Sequence, residues 1–273
     1  MTDPKQIIEF TQELLIPAAT DSLKTFYEAY IAGKDIGVEE KSDETPASRA
    51  DKETEQVLRE LIIEKFPEHG IIGEEFEAHN PESEFVWILD PLDGTREFLA
   101  KKPGCFGSLI ALMRDGLPVF GAVIDPLYDK IWMSDRVNDE HVSLDVIDAN
   151  QAVFACTNPQ GMFQQDYQLE AMANFVKDSQ EFRTELNCIG FVQLVDGNVD
   201  VAIEANLALH DIAALLPVLL NAGMTVIDLH GNDYNDVAFE LPLASQQKFD
   251  VIAARDEALA WEVFEQMKVR QAA

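Results

Sequence analysis

Basic residues are scarce in this chain: 20 lysines and arginines stand against 50 aspartates and glutamates, a formal charge of −30 at pH 7. Such a surface repels phosphate backbones and anionic headgroups wherever no metal or local base intervenes, so neither nucleic acid nor a membrane is the expected partner. The cysteines Cys105, Cys156 and Cys188 are few, scattered and without metal-ligand spacing. That argues against a disulfide framework and for reduced thiols. No apolar run reaches the roughly 18 residues of a membrane helix. The opening MTDPKQIIEF lacks a basic segment ahead of an apolar stretch, which predicts a cytoplasmic protein.

What is present is enough to fold: 47% of the 273 residues are hydrophobic and 26% charged. The length lies just above the roughly 250 residues at which one core stops growing, so one large α/β domain or two fused subdomains is expected. Residues 5–32 carry apolar positions at helical spacing with a kink near Pro17, and residues 51–66 resume that spacing with Asp51 at the start. The polar stretch 37–50 reads as a surface loop able to hang over a site. Ile71-Ile72-Gly73 and Phe85–Leu89 read as strands that end in Glu74-Glu75 and Asp90. Residues 106–113, 118–125 and 130–134 continue as a meander. A polar, acidic tract at 135–151 marks a soft boundary between subdomains 1–145, α+β, and 146–273, α/β. In the second, strands near 152–156, 199–204, 224–228 and 249–253 alternate with helices near 166–177, 188–196, 211–222 and 256–268.

The most informative text is Trp87-Ile88-Leu89-Asp90-Pro91-Leu92-Asp93-Gly94-Thr95. An apolar strand ends in an acid, a proline fixes the turn, and a second acid precedes Gly-Thr at a helix entry. This order can aim Asp90 and Asp93 at one point while the Gly94 and Thr95 amides face an anion. Hard carboxylate oxygens beside phosphate-binding amides suit Mg²⁺ and a phosphate ester. A capped Asx-turn would use the same residue types for local reasons. The haloacid dehalogenase signature, with its two aspartates two residues apart, does not match the interval of three here.

With Gly73-Glu74-Glu75 upstream, the motif resembles the inositol monophosphatase superfamily of Mg²⁺-dependent, lithium-sensitive phosphatases. The likeness extends to Lys41-Ser42-Asp43, Thr45-Pro46 and Ala50-Asp51, which resemble that family's metal-binding loop and helix start. Glu204 and His210-Asp211-Ile212-Ala213-Ala214 resemble its segment ending in an Asp that opens a helix. The resemblance implies a layered αβαβα sandwich, a homodimer, and a small-molecule phosphate ester as substrate. It implies metal binding by Glu74, Asp90, the Leu92 carbonyl, Asp93 and Asp211, with Asp51 at a weaker third site. Thr95 with Glu74 would orient a water, and the Gly94 and Thr95 amides would hold phosphate. Converging carboxylates repel and raise one another's pKa, so such a centre requires cations.

Substrate must come from the second half. His210 before Asp211, with Ala214-Leu215 and Phe106–Leu112, looks most like the histidinol-phosphate phosphatase branch. Arg183-Thr184-Glu185-Leu186-Asn187-Cys188 shares that branch's Arg and Cys and puts Asn187 where the branch has an acid. Arg183, Glu204, Asp211 and His210 are the candidate substrate contacts. Histidinol phosphate is the first expectation, inositol monophosphate the second. Arg96-Glu97-Phe98 resembles the bisphosphate nucleotidase branch, a third. A regulatory interaction protein on a phosphatase scaffold is the alternative of another class.

Overall fold

Pro17 shapes the entry of the chain. In the computed structural model, which describes residues 4–40, 46–134, 147–235 and 237–268, helix α1 (Pro4–Phe10) passes through one widened π turn at Thr11–Leu15 into α2 (Ile16–Ile31). A proline has no N–H to donate and its ring crowds the carbonyl four residues back, here Glu13. The wide turn absorbs both effects, and it is the expected kink. Next come β1 (Glu39–Glu40) and β2 (Pro46–Ala47), paired antiparallel. Lys41, Ser42, Asp43 and Thr45 of the family-like loop lie outside the described residues. Ser48 then starts α3 (Arg49–Lys65) as its N-cap.

The first sheet holds β3 (Gly70–Gly73), β4 (Phe85–Asp93), β5 (Gly107–Arg114), β6 (Leu117–Asp125) and β7 (Lys130–Met133) in that order, with α4 (Thr95–Leu99) leaving the end of β4. From β4 onward the pairing is antiparallel, as a meander should be, whereas β3 runs parallel to β4. Val86 to Leu89 are all buried because the sheet is covered on both faces, which is why the run is continuously apolar rather than alternating.

The second half contributes β8 (Val153–Ala155), α5 (Pro159–Met162), α6 (Asp166–Asp178), β9 (Glu181–Arg183), α7 (Cys188–Val195) and β10 (Val201–Leu207). It ends with α8 (Leu209–Ile212), α9 (Leu215–Asn221), β11 (Thr225–Ile227), β12 (Phe249–Ala254) and α10 (Glu257–Met267). The strands form one sheet of order β11-β12-β10-β8-β9, in which β8 is parallel to both neighbours and β12 antiparallel to both. The single helix expected at 211–222 is two helices. Pro217 cannot donate to the carbonyl of Ala213 and crowds it, so the chain breaks at Ala213-Ala214.

Three buried clusters set the layers. Ile7, Phe10, Leu58 and Ile62 of the N-terminal helices pack on Trp87, Leu89 and Ile110 of the first sheet. Phe191, Val192, Leu216 and Val218 of α7 and α9 fill the space between that sheet's other face, with Val86 and Ile88, and the second sheet, with Ala202 and Val251. Met172, Phe175, Val263 and Phe264 of α6 and α10 cover the outer face of the second sheet. The result is the expected αβαβα sandwich. The boundary expected at 145/146 falls within 135–146, outside the described residues.

Candidate active site and metal centre

Parallel pairing of β3 with β4 sets Gly73 opposite Leu89, so the next residues, Glu74 just past the end of β3 and Asp90 within β4, come side by side. Two aspartates three apart on a regular strand would face opposite ways. Here Asp90 pairs with Leu109 and Asp93 with Gly107, so three residues of β4 span two of β5. This bulge returns Asp93 to the face of Asp90. Leu92 N–H donates to Asp90 Oδ1 at 3.0 Å and Ser108 Oγ to the Asp90 carbonyl at 3.2 Å, holding the bulge in shape. Gly94 follows with φ 90°, and a Cβ there would lie 2.6 Å from Asn187 Nδ2 and 2.9 Å from the Cys105 carbonyl, so no other residue fits.

The remaining groups come from helix starts. Asp51 is the third residue of α3 and is fully buried. Its Oδ2 accepts from Ser48 N–H (2.7 Å) and Ser48 Oγ (2.8 Å), and its Oδ1 from Thr95 Oγ1 (2.7 Å). Both carboxylate oxygens of the residue expected at a third metal site are thus engaged, and the Thr95 hydroxyl, expected to act with Glu74, donates to Asp51. Asp211 stands likewise at the third position of α8, its Oδ2 accepting from Ala208 N–H at 2.6 Å. Asp93 Oδ2 accepts from Cys188 N–H at 2.5 Å, across from the second half.

Two groups of potential ligand atoms result, each with its atoms within 4.8 Å of one another: Glu74, Asp90 and His210, and Asp90, Asp93 and Asp211. They share Asp90, a layout suited to a pair of cations. Burial, then Glu74 and Asp93, hold the Asp90 carboxyl well above its ordinary value. Burial and the neighbouring Asp211 push Asp93 up to about 7, against the Cys188 hydrogen bonds. Asp51 is also raised, by burial, although its three hydrogen bonds oppose the shift. A set of oxygen donors that resists ionising together is short of positive charge, and divalent ions fit it.

The clusters open into a cleft of about 390 Å³ whose walls include Pro46, Leu92, Gly94, Thr95, Arg96, Glu97, Asn187 and Lys248. Behind it lies a smaller cavity of about 210 Å³ bounded by Asp93, Thr157, Asn187, Glu204, Asn206 and Asp211, with Met162, Phe191 and Leu215 as apolar wall. Among the described residues no base lines it. Beside both, a groove of about 1170 Å³ runs past Arg96, Glu97, Asn187 and Thr157 to Leu169 and Met172. Glu204 is 4% exposed, and burial pushes its carboxyl up to about 8 despite two 2.7 Å bonds from Thr157 N–H and Oγ1 to its Oε1. Its Oε2 is buried without a partner.

Arg183 does not reach this region. Its guanidinium donates to Glu181 (2.9 Å), Gln193 Oε1 (2.9 Å) and the Asn198 carbonyl (3.0 Å), a strap between β9 and the end of α7. The residue expected as a substrate contact thus lines none of these three cavities. Sequence reasoning passed over Thr157, Glu55 and Lys248. Thr157 was recoverable: β8 and β10 are parallel, so it leaves their edge beside Glu204 as Glu74 does beside Asp90. Glu55 accepts from Arg59 Nε (2.7 Å) and Glu75 N–H (2.8 Å) beneath Gly73, anchoring the Glu74 segment. His69 accepts from Trp87 Nε1 at 3.1 Å in the core. The three cysteines are free, with Cys156 and Cys188 buried.

This fold and site have counterparts among known proteins. The pattern of the inositol monophosphatase family matches residues 3–268, and the chain belongs to that family. It is a phosphoric monoester hydrolase of a metal-dependent class that acts on small phosphate esters. Curated relatives include the bifunctional phosphatase IMPL2 of Arabidopsis thaliana, 29% identical over 86% of this chain and 69% of the relative. The histidinol-phosphatase of Chlorobaculum parvum is 29% identical over 74% and 80%, and the Nus factor SuhB of Pasteurella multocida 28% over 80% and 85%. Among solved structures, an inositol monophosphatase from Zymomonas mobilis superposes with TM-score 0.76 at 26% identity, covering 98% of this chain and 99% of that one. No helix among the described residues is long and apolar enough to cross a membrane.

Proposed function

We propose that the chain hydrolyses the phosphate monoester of a small, positively charged alcohol, with histidinol phosphate as first substrate and Mg²⁺ as the cofactor. The observation that carries the hydrolysis is the pair of acid clusters sharing Asp90 beside the Thr95–Asp51 hydrogen bond. Glu74, Asp90, the Leu92 carbonyl, Asp93 and Asp211 would hold the ions. When bound, these acidify water and neutralise charge on the phosphoryl and leaving oxygens.

The chain's own groups supply orientation and a proton path. Thr95 Oγ1 gives its proton to Asp51 Oδ1, which leaves the hydroxyl oxygen's lone pairs to accept from a water in the cleft. Asp51, its carboxyl raised by burial, is suited to take up a proton as the water is deprotonated. Gly94 and Thr95 line the cleft at the start of α4, where their amides would suit the phosphoryl oxygens. Arg96 and Lys248 on the cleft walls offset the acids for an incoming dianion.

On the leaving-group side, the cavity's described residues include acids and amides and no base, which disfavours a second phosphate and favours a cation. Glu97, held by Asn187 Nδ2 at 3.0 Å, adds an acid at the cavity mouth where the branch's own acid has become Asn187. Glu204, protonated at neutral pH, would serve as a hydrogen-bonding group for a hydroxyl or amine. The test is phosphate release from histidinol phosphate, inositol 1-phosphate and adenosine 3′,5′-bisphosphate, each with Mg²⁺, with EDTA, and with Mg²⁺ plus Li⁺. Histidinol phosphate should show the highest kcat/KM, EDTA should abolish release, and Li⁺ should inhibit it. No release from any ester would overturn the proposal.

A homodimer, measurable by light scattering, accompanies this reading. A partner-binding role is the second reading, favoured by the SuhB relatives. Metal-independent capture of a protein partner, with no ester hydrolysed, would support it.

A further inference from the structure

We infer that His210 is a metal ligand, so that the Glu74–Asp90–His210 half of the centre takes a transition dication in preference to Mg²⁺. A nitrogen of His210 lies with one oxygen of Glu74 and one of Asp90 inside a 4.8 Å group. These atoms come from three different elements, the ends of β3 and β4 and the first turn of α8, so their convergence is tertiary and not a by-product of one turn. Among the described residues the imidazole makes no hydrogen bond. Asp211 Oδ1 stands 3.6 Å from Nε2, too long for a good one.

The two halves of the centre differ in donor chemistry. Asp90, Asp93 and Asp211 offer oxygen alone, which suits Mg²⁺, a hard ion that rarely leaves oxygen and water ligands. Glu74, Asp90 and His210 offer oxygen, oxygen and an imidazole nitrogen. That set raises affinity for Mn²⁺, Co²⁺ or Zn²⁺ relative to Mg²⁺, because the softer donor is worth more to the later dications. Asp51, the other residue near Glu74, has both carboxylate oxygens bonded to Ser48 and Thr95, so His210 is the better-placed ligand beside the shared Asp90. The inference rests on the metal centre proposed above and deepens it by assigning a different ion to each half.

The test uses the purified full-length chain titrated with Mn²⁺, read by electron spin-echo envelope modulation. Wild type should show ¹⁴N coupling to the bound Mn²⁺, and protein labelled with ¹⁵N-histidine should show the pattern change to ¹⁵N. In His210→Gln the nitrogen coupling should vanish and the ratio of Mn²⁺ to Mg²⁺ affinity should fall about tenfold. The isotope experiment needs no substitution, so it decides even where the variant folds poorly. Bound Mn²⁺ without nitrogen coupling, or coupling retained in His210→Gln, overturns the role of His210 and leaves the carboxylate centre standing. No bound Mn²⁺ at all overturns both.

Discussion

The edge of the first sheet and the edge of the second are built by the same device and end in opposite electrostatic states. At the first, parallel β3 and β4 deliver Glu74 and Asp90 together; at the second, parallel β8 and β10 deliver Thr157 and Glu204. Among the described residues the first edge gathers acids with no lysine or arginine inside the cluster, so the carboxyls of Asp90 and Asp93 are raised by burial and by neighbouring acids. The second holds one buried acid whose Oε1 takes two hydrogen bonds from Thr157. Adjacent strand ends therefore fix where groups converge, and the residue types fix whether the convergence demands an ion or is quieted by a hydroxyl and a proton.

The sharpest way to break that contrast is Asp90→Asn, which removes the acid shared by both ligand groups. Turnover should fall by about a thousandfold or more, read as phosphate release at saturating Mg²⁺, with the melting temperature of the metal-free protein unchanged or raised. Thr95→Ala should cost about a hundred- to a thousandfold in kcat, because the Asp51–Thr95 proton path is lost while the ligand acids remain. A largely unchanged kcat in either variant would remove that residue from the chemistry.

The pH dependence of stability should differ between metal-free and metal-loaded protein. Asp93 ionises near 3.8 when unfolded and at about 7 when folded, so the folded state binds the proton more tightly. Stability of the EDTA-treated protein is then greatest at acid pH and declines as pH rises from about 4 to 7. Saturating Mg²⁺ should flatten the decline, measured as melting temperature against pH. A flat metal-free profile would mean that the acids are not strained together.

The second edge should respond more mildly. Thr157→Ala removes one of two donors to Glu204 Oε1 and should cost about 1–3 kcal/mol in urea unfolding. Glu204→Gln exchanges one neutral hydrogen-bonding side chain for another of the same shape and should leave both stability and KM nearly as they are. A KM rise of about tenfold confined to a cationic ester would show that Glu204 ionises when substrate binds and that its charge enters recognition.

Local chemistry in the sequence carried much of this. The kink at Pro17, the strand end before Glu74, and the helix starts at Asp51 and Asp211 are written in residues that neighbour one another, and the structure bears them out, whereas the strand expected to end at Asp90 runs on to Asp93. Same-face placement of Asp90 and Asp93 depends on a bulge opposite Leu109 and Gly107, which neighbouring text does not reveal. Thr95 bonds Asp51 from 44 positions away, a contact that neither local text nor the resemblance pairing Thr95 with Glu74 points to. Arg183 misled because a lone guanidinium in an acid-rich chain has many carboxylates and carbonyls to choose from, and folding gave it Glu181 and Asn198. The branch resemblance points to His210 as a substrate contact, while its convergence with Glu74 and Asp90 exists only in three dimensions.

The seat of Asn187 against Gly94 has one further consequence. The amide of Asn187 occupies the space a Cβ at 94 would need, and Asn187 itself sits at φ 48°, a conformation glycine adopts at no cost. Asn187 is thus one wall of the space at 94, and the Cys105 carbonyl and Phe106 Cβ, 2.9 and 3.0 Å from where a Cβ would stand, are the others. Shrinking residue 187 removes only the first wall and leaves the left-handed φ at 94, so lineages or libraries should keep glycine at 94 whatever stands at 187. In mutational scans Gly94→Ala should stay defective even when combined with Asn187→Gly.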